Sequence, residues 1–147
     1  MKGKEMDKLE GKALWGYVAG IIDGEGCIYL SNRHNGYKDH RSMELHVKVG
    51  MANEWVINFL LMQFGGVKSI RKHHQIIRYK QIYEWAANGK KAGKFLKLVL
   101  PYLQIKRPQA ELGIAFQCRR KGTGYKSTPQ ERLADANDRI LMGVYNH

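Results

Sequence analysis

The chain is poor in cysteine, proline and acid. Two cysteines in 147 residues, Cys27 and Cys118, form no CxxC pair. That excludes a zinc ribbon and a disulfide scaffold, and it suits a reducing compartment. Only three prolines occur, too few for a proline-rich linker or a collagen-like segment. No stretch of about 18 apolar residues occurs, so no membrane span is expected. The opening Met1-Lys2-Gly3-Lys4-Glu5-Met6-Asp7 alternates charges and lacks the apolar core of a secretion signal. A soluble, intracellular protein is expected, in a prokaryotic cytoplasm or an organelle. No P-loop, nucleophile elbow or HExxH motif is present. Adjacent His73 and His74 would point to opposite faces of a strand, which argues against zinc.

Acid is scarce where base is abundant. The chain holds 25 Lys and Arg against 13 Asp and Glu, a net charge of +12. Between Trp55 and Ala110 eleven Lys or Arg face a single acid, Glu84. Such a segment repels itself unless a polyanion is near, and nucleic acid is the first candidate. An anionic membrane is the second candidate, and plain solubility the third, although solvated surfaces usually mix both signs. With 44% hydrophobic residues the chain can still bury one core, and its length suits one domain, residues 1–147.

Periodicity supplies the element order. Residues 11–23 place Leu14, Val18, Ile21 and Ile22 at helical spacing. The helix is expected to stop at Gly24-Glu25-Gly26 on a left-handed glycine. Strands 27–33 and 42–51 follow, with Ile28, Leu30, Met43, Leu45, Val47 and Val49 on one parity and Ser31, Arg33, Ser42, Glu44, His46 and Lys48 on the other. Asn53 is a candidate N-cap for a helix ended by Gly65-Gly66. Residues 67–85 read as a second hairpin turning near 73–75, and Asn88-Gly89 as a loop. Helices are expected over 90–100, interrupted by Pro101, and over 108–120. A capping box, Thr128-Pro129-Gln130-Glu131, opens a last helix over 129–142. The order is αββαββα with a helical extension over 121–147. It predicts an α+β fold: a four-stranded antiparallel sheet, helices on one face, and a polar, basic face left open.

Two features of the first helix run against stability. Gly16 and Gly20, with Ala19 beside them, each glycine costing about 1 kcal/mol relative to alanine, suggest close approach of a second helix backbone. Asp23 and Glu25 stand at the helix C-terminus, where the dipole disfavours acid. An oxygen-rich, electronegative cluster of that kind suits Mg²⁺. A helix-capping Asp23 beside a solvated Glu25 is the plainer reading of the same residues.

The segment LWGYVAGIIDGEGCI resembles the signature helix of the LAGLIDADG homing endonucleases, with Val18 to Gly26 as the core of the likeness. Leu100-Pro101-Tyr102-Leu103-Gln104-Ile105-Lys106-Arg107 looks like the family segment that brings a basic side chain to the active site. With Phe64-Gly65-Gly66, the resemblance covers roughly residues 12–120. It implies that Glu25 and the Gly24 carbonyl bind a divalent metal, Mg²⁺ or Mn²⁺, at the scissile phosphate, that Asp23 caps structure, and that Lys106 is catalytic. It implies a homodimer packed through Gly16, Ala19, Gly20 and Asp23, because one chain carries one motif. The activity implied is metal-dependent cleavage of double-stranded DNA at a long pseudo-palindromic site, leaving 3′ overhangs, as in intron homing. Tyr29, Ser31, Arg33, His46, Lys48, Arg71, Arg78 and Lys80 are the candidate DNA contacts, since a two-stranded ribbon fits the major groove. One departure is Met51, where family members often place Gln or Asn late in the second strand. Two alternatives stand beside cleavage: an RNA-binding intron maturase, and a DNA-binding protein of the same fold that does not cut.

Overall fold

A computed structural model describes residues 9–34, 41–71, 80–121 and 127–147. Helix α1 spans Gly11–Glu25, followed by β1 (Gly26–His34), β2 (Arg41–Met51), α2 (Glu54–Phe64), β3 (Val67–Ile70), β4 (Tyr83–Asn88), α3 (Gly89–Val99), a 3₁₀ turn (Leu100–Tyr102), α4 (Arg107–Cys118) and α5 (Pro129–Tyr145). The strands form one antiparallel sheet in the order β1-β2-β4-β3. The αββαββα order and α+β class expected from periodicity are those observed.

One sheet face is dry. Ile28, Leu45, Val47, Val49 and Trp85 are fully buried, and α1 adds Val18, Ala19 and Ile22, also at 0% exposure. Each large aliphatic buried this way contributes about 1.5–3 kcal/mol. Phe95, Leu96 and Val99 of α3 and Ala110 and Phe116 of α4 close the same core. All helices therefore gather on one side, and the opposite face of the sheet is left to polar residues. Trp85 is a core residue, whereas Trp15 and Trp55 are half-buried against Phe64 and Phe59.

Several local expectations need correcting. Helix α1 runs through Glu25 to end on Gly26, whose φ of −83° is not left-handed. Glycine is needed there for space: a Cβ would stand 2.7 Å from the Ile22 carbonyl oxygen, because the chain leaves the helix directly into β1. The expected Asn88-Gly89 loop does not exist. Strand β4 passes straight into α3, with Gly89 at φ +58° taking the turn. Strand β4 also begins later than the alternation suggested, at Tyr83. Lys80 precedes it outside any strand, while the turn near 73–75, His73, His74 and Arg78 lie outside the described residues. The N-caps behave as read. Asn53 Oδ1 accepts from the amides of Trp55 and Val56, and Thr128 with Glu131 completes the capping box. No helix among the described residues is long and apolar enough to cross a membrane.

Candidate nucleic-acid interface and carboxylate centre

The end of α1 is tied to the segment before α4. Asp23 Oδ2 accepts from the Gln104 amide at 2.8 Å, and Oδ1 accepts from the amides of Ile105 at 3.1 Å and Lys106 at 2.9 Å. Three backbone donors of the segment leading into α4 are thus satisfied by one carboxylate from a different helix, near the positive end of α4. The Lys106 ammonium answers by donating to the Asp23 carbonyl at 2.7 Å. It neutralises part of the negative end of α1. Asp23 and Lys106 therefore lock two distant segments together at the place where Glu25 emerges.

Glu25 has the opposite character. It is exposed, as is Gly24, and it makes no hydrogen bond or ion pair among the described residues. The donor set open to a hard cation is therefore one carboxylate and helix-end carbonyls, with Asp23 fully engaged. Among the described residues no group of three or more His, Cys, Asp or Glu could hold a metal ion.

The second strand ends at Met51, and Asn53 follows it as the N-cap of α2. Met51 packs against the core, and the Asn53 carbonyl oxygen is consumed by the α2 cap.

The remaining face of α1 is open. A Cβ built on Gly16, Gly20 or Gly24 meets nothing within 4 Å. Ala19 does not belong with them: it is fully buried in the core, because it lies one residue around the helix from Gly20, toward Val18 and Ile22. Asp23 likewise faces the Gln104–Lys106 backbone rather than the open face.

The polar sheet face carries two hydrogen-bonded groups. In the first, the His46 ring stacks on Tyr29 at 4.8 Å between centroids and 9° between planes. Its Nδ1–H donates to Asn88 Oδ1 at 2.8 Å, and the Ser31 hydroxyl donates to Nε2 at 2.6 Å. Tyr29, Ser31 and His46 are thus brought together as the strand parity implied. Asn88 was read as a loop marker; its position beside His46 follows from the β2–β4 pairing, which places His46 opposite Asn88 and which no local pattern reveals.

The second group centres on Glu84. Its Oε1 accepts from Arg71 Nε at 2.7 Å, and its Oε2 accepts from Lys48 at 2.9 Å. Burial alone pushes the carboxyl up, but the hydrogen bonds from Lys48 and Arg71, with their charge, outweigh it and hold Glu84 below the ordinary glutamate range.

Not all of the predicted basic face is assembled. Lys80 is exposed outside the strands, the side chain of Arg33 lies outside the described residues, and Lys68 points to α2, where it donates to Glu54 and Asn58. Lys90, Lys91, Lys94 and Lys97 are exposed on α3, in the helix layer.

No family model and no curated protein matches the sequence. Solved structures do match the fold. The homing endonuclease I-CvuI in complex with its target aligns with a TM-score of 0.71 at 20% identity, covering 90% of this chain and 81% of that one. The chain has the LAGLIDADG homing-endonuclease fold. The archaeal intron-encoded homing endonuclease I-Vdi141I, complexed with DNA, aligns with a TM-score of 0.54 at 12% identity over 93% of this chain and 99% of that one. The LAGLIDADG homing endonuclease I-LtrWI, bound to target DNA, gives 0.63 at 15% identity, with 90% of this chain matching 44% of that one. One copy of this fold therefore corresponds to less than half of I-LtrWI and to most of I-CvuI. In LAGLIDADG terms the motif helix is α1, and Glu25 stands at its end.

Proposed function

We propose that the protein is a site-specific DNA endonuclease that works as a homodimer and hydrolyses phosphodiester bonds with the aid of a divalent cation. The observation that carries this reading is the contrast at the end of α1. Asp23 accepts from three amides, while Glu25, two residues on, is exposed and has no partner among the described residues. An acid kept free at the negative end of a helix is unfavourable for stability, and it is useful where a cation and a phosphate must meet.

A bound divalent cation supplies a water of lowered pKa and charge stabilisation for the phosphate oxygens. Glu25, with the Gly24 carbonyl, would hold it. Lys106 lies on the Asp23 carbonyl, one residue from Gly24, and its ammonium places a positive charge beside the phosphate as negative charge builds there. Asp23 keeps Lys106 and Glu25 in a common frame.

Each chain contributes one such carboxylate, so cutting both strands takes two chains. The open Gly16, Gly20 and Gly24 face supports the packing of α1 on its two-fold mate, which brings both Glu25 residues to the symmetry axis. The target is accordingly a pseudo-palindromic duplex, and the resemblance to the LAGLIDADG endonucleases adds a staggered cut that leaves 3′ overhangs. The sheet's polar face would lie along the major groove. The neighbours I-CvuI, I-Vdi141I and I-LtrWI are described with DNA bound, and this supports the substrate class. I-CvuI is described with DNA not cleaved at 2 mM Mg and, separately, with its target in 2 mM Ca, which supports a divalent cation as cofactor.

The test uses a plasmid library carrying candidate insertion sites, with Mg²⁺ or Mn²⁺ added. The wild type is expected to linearise the cognate plasmid. Glu25→Gln should retain binding and lose cleavage by at least about a hundredfold, the scale expected for loss of a group acting on the transition state. Normal cleavage by Glu25→Gln removes Glu25 from the chemistry and overturns the reading.

A further inference from the structure

We infer that Glu84 is a positioning residue that sets Arg71 as a reader of guanine and holds Lys48 beside it. The inference rests on the endonuclease reading for its partner, duplex DNA, and otherwise on the geometry of the sheet face.

Glu84 is the one acid in the basic stretch from Trp55 to Ala110, and it is only 7% exposed. On a face meant for a polyanion a carboxylate lowers affinity. In a buried site an ion pair is no more stabilising than well-packed apolar residues of the same volume. Apolar packing would serve stability as well, and a neutral residue would serve affinity better; what Glu84 adds is geometry.

That geometry is specific. The Arg71 guanidinium approaches Glu84 Oε1 through Nε and Nη2, the latter at 2.5 Å, so Glu84 grips its inner edge. The outer end, with Nη1, has no partner among the described residues, and the side chain is 54% exposed. An arginine held by its inner edge presents its terminal nitrogens as a fixed fork, the arrangement that pairs with guanine O6 and N7. Room for this posture comes from Gly50, which sits opposite Glu84 in the β2–β4 register. A Cβ on Gly50 would stand 3.2 Å from Arg71 Nη2, so the guanidinium lies over the one position of β2 that has no side chain. Lys48, at 39% exposure, binds the other carboxylate oxygen and keeps two protons for the groove. Fixing both cations before DNA arrives removes rotamer entropy otherwise lost on binding.

The experiment measures the full-length protein in Ca²⁺ with two probes. One is a pool of duplexes randomised across the core, sequenced after selection; the other is a single duplex of unrelated sequence, titrated at several salt concentrations. The wild type should prefer guanine at one base pair in each half of its selected sites by about 5- to 150-fold. Arg71→Ala should abolish that preference alone. Glu84→Gln should weaken the same preference about three- to tenfold, spare the other positions, and steepen the salt dependence on the unrelated duplex by about one counterion, because two cations are released from their carboxylate. Glu84→Asp restores the charge without the reach. It should recover the salt dependence and not the base preference. An unchanged preference in Glu84→Gln overturns the inference. So does a loss spread evenly over all positions with a fall in melting temperature, which marks a folding role. A wild type that selects sites but shows no preference that Arg71→Ala removes also overturns it while sparing the endonuclease reading. A wild type that binds no duplex overturns that reading itself.

Discussion

At the scale of single residues, the two acids of α1 do different work, and their surroundings tell them apart. Asp23 satisfies three backbone amides of the Gln104–Lys106 segment, a long-range analogue of an N-cap. Removing a cap costs about 1–2 kcal/mol. Asp23→Ala is therefore expected to lower stability by about that amount in urea unfolding. It should also lower cleavage more than binding, since Lys106 loses its frame while the sheet face is untouched. Equal losses of binding and cleavage would remove Asp23 from the positioning of Lys106. Sequence alone marked both acids as misplaced, because the helix dipole makes acid costly at that end. It did not separate them. The amides that engage Asp23 lie more than 80 residues away, and only the tertiary fold brings them into reach.

At the scale of elements, the clearest dependence on backbone is the Gly65-Gly66 corner between α2 and β3. Gly66 has φ +97°, and a Cβ there would meet the Ala86 carbonyl oxygen at 2.4 Å. Gly65 accepts the Trp85 indole N–H at 2.7 Å. Gly66→Ala should thus destabilise the protein by at least about 2 kcal/mol, from backbone strain and a clash with the central strand together. Thermal unfolding monitored by Trp fluorescence checks this. The corner was legible as a helix stop, as were the alternating strands β1 and β2, whose buried parity matches the apolar residues read from the sequence. The reach of β4 was not legible: Ile77, Tyr79, Tyr83 and Trp85 share one parity in the sequence, yet Lys80 and Gln81 lie outside any strand. Nor was the β1-β2-β4-β3 order, because alternation identifies strands without naming their neighbours. For the same reason Asn88 and Glu84 escaped notice as members of the polar face. Both acquire their roles from cross-strand pairing.

At the scale of the whole molecule, the proposed endonuclease makes one demand: that a second copy meet the open face of α1. Gly16, Gly20 and Gly24 each forgo about 1 kcal/mol of helix stability relative to alanine, and among the described residues no atom comes within 4 Å of a Cβ placed there. A helix backbone from a two-fold mate would fill it and draw the two Glu25 carboxylates together. Gly20→Leu places a bulky side chain at the centre of that contact while leaving the monomer's core intact, since no described atom lies within 4 Å of the new Cβ. Replacing glycine by leucine should even raise the helix propensity of the isolated chain. The expected outcome is a shift from dimer to monomer in sedimentation equilibrium, with melting temperature kept or raised at low concentration, and double-strand cleavage lost together with dimerisation. A Gly20→Leu protein that remains dimeric and cuts both strands would place the two-fold contact on another surface. In that case the two Glu25 centres would not meet at the α1 pair, and the proposed two-carboxylate cut at one symmetry axis would lose its structural basis.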